Sequence, residues 1–235
     1  MQNPLQIADA LWIVDGPIVR WLTMPFPTRM TIARLADGGL FVHSPIPPTD
    51  EVRAFVATLG TPRYIVSPNK LHHLFMQPWR DAYAGVHTFA PPGLRAKRPD
   101  LIFDGDLGDA PDPAWRDEID QLWFAGSRAL AEIVFFHKPS RTAIFGDLIE
   151  NFDARTLSPF HRFIAHVGGV LAPHGKTPLD LRQSFRTHRD QARDSLRRVL
   201  AWHPRAAIMC HGVPVLDGAT SFIESAFAWS RERDA

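Results

Sequence analysis

The sequence predicts an α/β protein in which two mixed β-sheets pack face to face, with helices on both outer faces. Three observations carry this expectation. A strand–helix–strand run opens the chain, a β-hairpin lies at its centre, and the last third reads helix–strand–helix. Elements with one apolar face bury it most simply by stacking in layers of this kind.

In the first third, residues 11–14 and 30–35 are short strand candidates, and Gly38-Gly39 is a turn. The apolar run Leu40-Phe41-Val42 ends at His43-Ser44-Pro45. Thr49 is placed to cap a helix, with Asp50 and Glu51 favourably set in its first turn. Val52, Phe55, Val56 and Leu59 recur at helical spacing, and Gly60 ends the helix. Tyr64-Ile65-Val66 then reads as a buried strand, followed by Ser67-Pro68-Asn69 and a short helix over 74–79. The prolines of Pro25-Phe26-Pro27, Pro45-Ile46-Pro47-Pro48 and Pro91-Pro92-Gly93 read as turns between elements.

Residues 94–113, rich in Asp, Gly and Pro, read as a surface loop. Residues 133–137 and 142–145 form the hairpin, joined by Lys138-Pro139-Ser140-Arg141, and run into Gly146-Asp147. One long charged helix is expected over 179–200, a short strand over 206–209 and a last helix over 219–231. No linker stands near Pro111, so residues 1–235 are expected to form a single domain.

Hydrophobic residues make up 45% of the 235, enough for a sizeable core, and the formal net charge is +1. Such a balance offers no electrostatic case for nucleic acid or membrane as a partner. One cysteine, Cys210, cannot form an internal disulfide, which points to a reducing compartment. The N-terminus lacks the basic, apolar and cleavage regions of a signal peptide, and no apolar run reaches the ~20 residues of a membrane span. A cytoplasmic location is expected. The sequence does not set the oligomeric state, and a homodimer is compatible with it.

Chemistry concentrates at strand ends. The four apolar runs lead respectively to His43, to His72 and His73, to Asp147, and to His211. Side by side, these ends would bring imidazoles and a carboxylate to one sheet edge, the ligand types of zinc, iron or manganese sites. Blander roles compete: a lone histidine is usually a surface or hydrogen-bonded residue, Asp147 fits an N-cap, and Cys210 fits a small buried hydrophobe.

The order of elements resembles the metallo-β-lactamase superfamily, a four-layer αββα sandwich. Ala143-Ile144-Phe145-Gly146-Asp147 is similar to its hairpin ending in Gly-Asp, and Ile208-Met209-Cys210-His211-Gly212 to its strand ending in His-Gly. In place of the superfamily's His-x-His-x-Asp-His loop stands Pro68-Asn69-Lys70-Leu71-His72-His73. That segment, the Phe135–Arg141 hairpin and Ser44-Pro45 resemble the DUF4336 branch, a domain of unknown function.

The resemblance implies one metal position, with His72, His73, Asp147 and His211 as ligands. Pro68 and Lys70 stand where the histidines of a second position would be. Lys70 also opposes a second cation: two unit charges ~4 Å apart repel by about 4 kcal/mol at an effective dielectric near 20. A mostly neutral ligand set favours zinc, with iron next, over magnesium or calcium. His43 is expected as a ligand or as a partner orienting one. Glu132 is expected as a ligand or general base, with a solvent-facing strand start as the alternative. Catalytic roles are expected of Glu132, Lys70 and Asp147, and Asn69, Lys70 and Arg141 are expected to meet an anionic substrate group. His137 is either close to the site or a surface residue.

Three functions follow from the resemblance. The first is a metal-dependent hydrolase of a small ester, lactone, thioester or phosphodiester, in which an ion lowers the pKa of a water and polarises a carbonyl or phosphoryl oxygen. The second is a metal-free binder of a small anion, and the third an iron protein handling oxygen or electrons. The motifs of serine hydrolases, P-loops and His-Glu-x-x-His proteases are absent from the sequence.

Overall fold

Successive strand residues point to opposite sides of a sheet, and this alternation sorts the apolar residues into two sets. In β4 (Gly39–His43), Leu40 and Val42 face helices while Phe41 faces the second sheet. In β10 (Thr142–Phe145), Ala143 and Phe145 face helices while Ile144 faces the first sheet. The computed structural model describes residues 4–21 and 23–231.

Among the described residues, the first sheet has seven strands in sequence order. Its antiparallel part comprises β1 (Leu5–Ala8), β2 (Leu11–Trp21), β3 (Met24–Arg34) and β4. Parallel pairing then adds β5 (Thr61–Val66), β6 (His87–Ala90) and β7 (Gly105–Asp106). The second sheet runs β11 (Ala206–Met209), β10, β9 (Glu132–His137), β8 (Ile119–Phe124). Both sheets are mixed, since β10 pairs parallel with β11 and antiparallel with β9.

Phe41, Val66, Trp115, Ile133, Phe135 and Ile144 fill the space between the sheets. Helices α1 (Asp50–Leu59) and α2 (Met76–Ala82) cover the first sheet through Val52, Val56, Met76 and Trp79, joined by Leu94 of α3 (Leu94–Lys97). Among the later helices are α4 (Pro159–Gly168) and α5 (Leu179–Ser184). Helices α6 (Arg189–Ala201) and α7 (Ala219–Ala226) cover the second sheet through Ala192, Leu196, Val199 and Ile223. The architecture is the expected αββα sandwich. Among the described residues, no helix is long and apolar enough to cross a membrane.

Thr49 caps α1 by accepting from the Val52 N–H, and Gly60 closes the helix. Several local expectations fail. Pro25 and Pro27 lie inside β3, paired with Arg20 and Ile18, rather than in a turn. Among the described residues, this arm pairs with a strand on one side only, because β3 meets β4 over residues 31–34, and proline is tolerated at such edges. The helix expected over 179–200 is two helices, α5 and α6. Phe185 between them is fully buried against Phe124, so the chain turns there to bury a ring that one straight helix would carry away. The last helix ends at Ala226 and a 3-10 turn, Ala228–Ser230, follows. The loop over 94–113 contains α3 and β7, and α2 begins two residues later than expected.

Candidate metal centre

Parallel pairing fixes where the strand ends go. His43 pairs with Val66 at the end of β4 and β5, and Phe145 with Met209 at the end of β10 and β11. The loops that follow carry His72, Asp147 and His211, whose ligand-capable atoms lie within 4.8 Å of one another. His72 Nε2 lies 3.2 Å, and His211 Nε2 3.0 Å, from the same Asp147 Oδ1.

Each of the three side chains is held from behind. His211 Nδ1 lies 2.7 Å from the Pro27 carbonyl, which can only accept, so Nδ1 carries the proton. Arg29, paired with Asp15, donates Nη1 to the carbonyls of Met209 and Gly212 on either side of that histidine. Ser44 Oγ lies 2.7 Å from His72 Nδ1, and Ser44 adopts the left-handed region at φ 52. That conformation is costly for a residue with a side chain and recurs at functional sites. Asn69 Nδ2 donates to Asp147 Oδ2 at 2.9 Å, leaving Oδ1 to the two imidazoles.

The donor set fits a metal ion. With Nδ1 committed to the Pro27 carbonyl, His211 turns its other nitrogen, Nε2, toward a carboxylate oxygen 3.0 Å away. Two acceptors at that distance repel unless a proton or a cation lies between them. Burial opposes the charged form of His72, but Asp147 and Cys210 beside it outweigh this and raise its pKa well above the usual value. Burial likewise acts to raise the Asp147 pKa, yet His72 and His211 hold it well below the usual carboxylate range. A cation taking the place of those protons would be held by two nitrogens and one oxygen.

The other expected site residues have different surroundings. Adjacent turn residues diverge, so His73 lies toward Lys97 and Arg98 instead of joining the cluster; burial and those charges lower its pKa to about 4. His43 is fully buried behind the cluster, its Nδ1 4.0 Å from Cys210 Sγ and its ring edge-on to Phe135. Burial and His72 push its pKa down to about 3. Lys70 is half-buried, and its carbonyl accepts from Lys97 Nζ. Arg141 precedes β10 whereas Asp147 follows it, so the strand's length separates them; its guanidinium donates to the His203 carbonyl.

Glu132 is neither solvent-facing nor a member of the cluster. Its side chain is fully buried, Oε1 accepting from the Gly146 N–H at 2.8 Å and Oε2 from the Asp147 N–H at 2.7 Å. Leu148 N and Asn69 Nδ2 add two more donors. Burial and the Asp147 carboxylate push its pKa up to about 7, against the pull of these hydrogen bonds. Glu132 therefore shapes the turn that presents Asp147. Sequence reasoning passed over Arg29 and the Pro27 carbonyl, and no local signal marks either, because their partners are about 180 residues away.

His137 lies at the far end of β9, paired with Thr142 and bonded through Nδ1 to Ser140 Oγ. Burial lowers its pKa from 6.5 to about 4. It is neutral in the fold, so its contribution is complete above the unfolded value and is lost as pH falls through 6.5 toward 4. Between pH 7 and 5 this costs about 2 kcal/mol. Urea unfolding should show His137→Asn losing that much less than wild type over the same interval; equal losses would disprove the assignment.

A family model described as "Domain of unknown function (DUF4336)" matches residues 8–160, more than half of the chain. The chain belongs to the DUF4336 family. The matched part of this DUF4336 protein contains His72 and Asp147, while His211 lies beyond it. Among solved structures it is similar to DIM-1 metallo-β-lactamase exposed to ceftazidime, at 14% identity and TM-score 0.66, with 98% of each chain covered. It is also similar to a metallo-β-lactamase from Pontibacter korlensis, at 11% identity and TM-score 0.66, over 99% of this chain and 100% of that one. A third, from Erythrobacter litoralis with β-mercaptoethanol in its active site, is 17% identical at TM-score 0.65, over 97% and 95%. At such identities the likeness establishes the fold. No curated protein matches the sequence.

Proposed function

We propose that this DUF4336 protein is a metal-dependent hydrolase that works with one divalent ion, zinc before iron, on a small ester, lactone, thioester or phosphodiester. The observation that carries the reading is the set His72, Asp147 and His211, with both imidazole Nε2 atoms turned to one carboxylate oxygen. Three protein ligands are the number found in catalytic zinc sites, where a further position stays open, whereas structural sites use four. A bound ion would supply Lewis acidity toward a carbonyl or phosphoryl oxygen and a more acidic water.

The chain's own residues set the stage for that chemistry. Pro27 keeps the His211 proton on Nδ1, Ser44 orients His72, and Asn69 holds the second oxygen of Asp147. Asn69 is fully buried and committed to Asp147 and Glu132, which favours a positioning role over contact with substrate. Lys70, next in sequence and half-buried, is the residue we assign to an anionic group of the substrate.

Elemental analysis of protein purified without added metal, and again after zinc reconstitution, tests the reading. Assays on generic esters, lactones, thioesters and phosphodiesters accompany it. One equivalent of metal with hydrolysis of at least one class is the expected result. Two equivalents would rule out the one-ion site. No ion even after reconstitution would leave a metal-free anion binder, and an ion without hydrolysis would remove the enzymatic claim.

A further inference from the structure

Helix α4 is inside out. Ser158 caps it, Pro159 starts it and Gly169 ends it in the left-handed region at φ 73, so its limits are locally specified. Its large apolar residues lie at i, i+3, i+4 and i+7, the spacing of a core-facing stripe. Yet Phe160, Phe163, Ile164 and Val167 are 63%, 65%, 38% and 57% exposed, and only the small Ala165 is buried. Isolated exposed apolar residues need no explanation, but a full stripe on one helix marks a contact surface.

Charge indicates what covers it. Residues 154–178 contain no Asp or Glu but carry Arg155, Arg162 and Lys176, in a chain with a formal net charge of only +1. Asp153 neutralises Arg155, so Arg162 and Lys176 are the cations with no carboxylate in their own segment. Lys176 lies beside the end of α4, its Cδ 3.9 Å from where a Cβ on Gly169 would stand. An anionic partner matches this surface.

A second copy of the chain matches it poorly. A two-fold contact places the same patch on both sides, so cation would face cation. A helix of ten residues is also only ~15 Å long, and its stripe falls well short of the ~800 Å² per partner of a stable interface. A bilayer surface needs no shape match and takes up helices with an aromatic face and basic flanks.

We propose that the outer face of α4 docks on an anionic lipid surface, with Phe160, Phe163, Ile164 and Val167 entering the acyl boundary and Arg162 and Lys176 meeting headgroups. The contact lies next to the metal centre. Helix α4 shares an apolar cluster with Phe152 and Phe26, and the Phe26 ring lies edge-on to His211 at 5.1 Å between centroids. Docking of this kind is independent of the metal reading, because lipid binding uses none of the three ligands.

Co-sedimentation of the full chain with vesicles tests the proposal, run with and without a chelator so that loss of metal and loss of lipid binding are read separately. Vesicles of equal parts phosphatidylglycerol and phosphatidylcholine should bind it at least about tenfold more tightly than phosphatidylcholine alone. Each cation near such a surface contributes about fivefold. The double variant F160S/F163S should bind at least about tenfold more weakly, and R162E/K176E should lose the preference for anionic vesicles. Phe160, Arg162 and Phe163 are exposed and Lys176 is half-buried, and circular dichroism checks that the variants fold. Absence of wild-type binding, or unchanged binding by F160S/F163S, would overturn the proposal. So would a wild-type dimer in light scattering that F163S converts to monomer, since a second copy would then cover the face.

Discussion

Asp147→Ala should abolish stoichiometric metal binding, with affinity for zinc lowered by more than about a hundredfold. That is the upper range for losing a residue that only supports a ligand, and Asp147 is the sole carboxylate in the group of three. Its Oδ1 is the atom both imidazoles approach, and the two adjacent histidines keep it ionised against the opposing effect of burial. Without it, two neutral nitrogens remain. His73→Ala is the contrasting variant, because His73 lies toward Lys97 and Arg98 outside the cluster and should leave metal content unchanged. Competition against a chromogenic chelator measures both. Retention of tight binding by Asp147→Ala, or its loss from a folded His73→Ala, would move the site elsewhere.

Glu132→Ala should destabilise the protein by about 4 kcal/mol in urea unfolding, with the denaturant slope unchanged. The fully buried carboxylate accepts from three backbone N–H groups of the Gly146–Leu148 turn and from Asn69. Each buried donor left unsatisfied costs about 1–3 kcal/mol, less than additively when neighbours relax together. Glu132→Gln preserves the shape but sets an NH2 group against N–H donors, so it should cost roughly half as much. A loss under about 1 kcal/mol for the alanine variant would show that the turn stands without this cap. Metal affinity should fall in both variants, because the turn aims Asp147.

Periodicity, caps and glycines carried the architecture. Thr49, Gly60 and the apolar face between them define α1 from residues within a dozen positions of each other. The paired β-runs before Gly146-Asp147 define the hairpin in the same local way. Local pattern failed where distant packing intervened. Burial of Phe185 against Phe124 splits the helix expected over 179–200, and the one-sided pairing of the β2–β3 arm accommodates the prolines read as a turn. Whole-chain charge was blind to the α4 surface, because a near-zero sum conceals a segment without carboxylates.

The sequence by itself determined that imidazoles and a carboxylate follow four strands, since residue type and strand ends are both local properties. Only the tertiary structure decided which of them meet. His72 and His73 are neighbours in a turn and therefore point apart, so one reaches Asp147 and the other faces α3. Arg141 and Asp147 are close in sequence, but β10 runs between them and extended chain separates its ends. The backing of His211 by Pro27 and Arg29 spans about 180 residues and depends on how two sheets are stacked. Such contacts arise from the sum of packing over the whole molecule, and no window of sequence contains them.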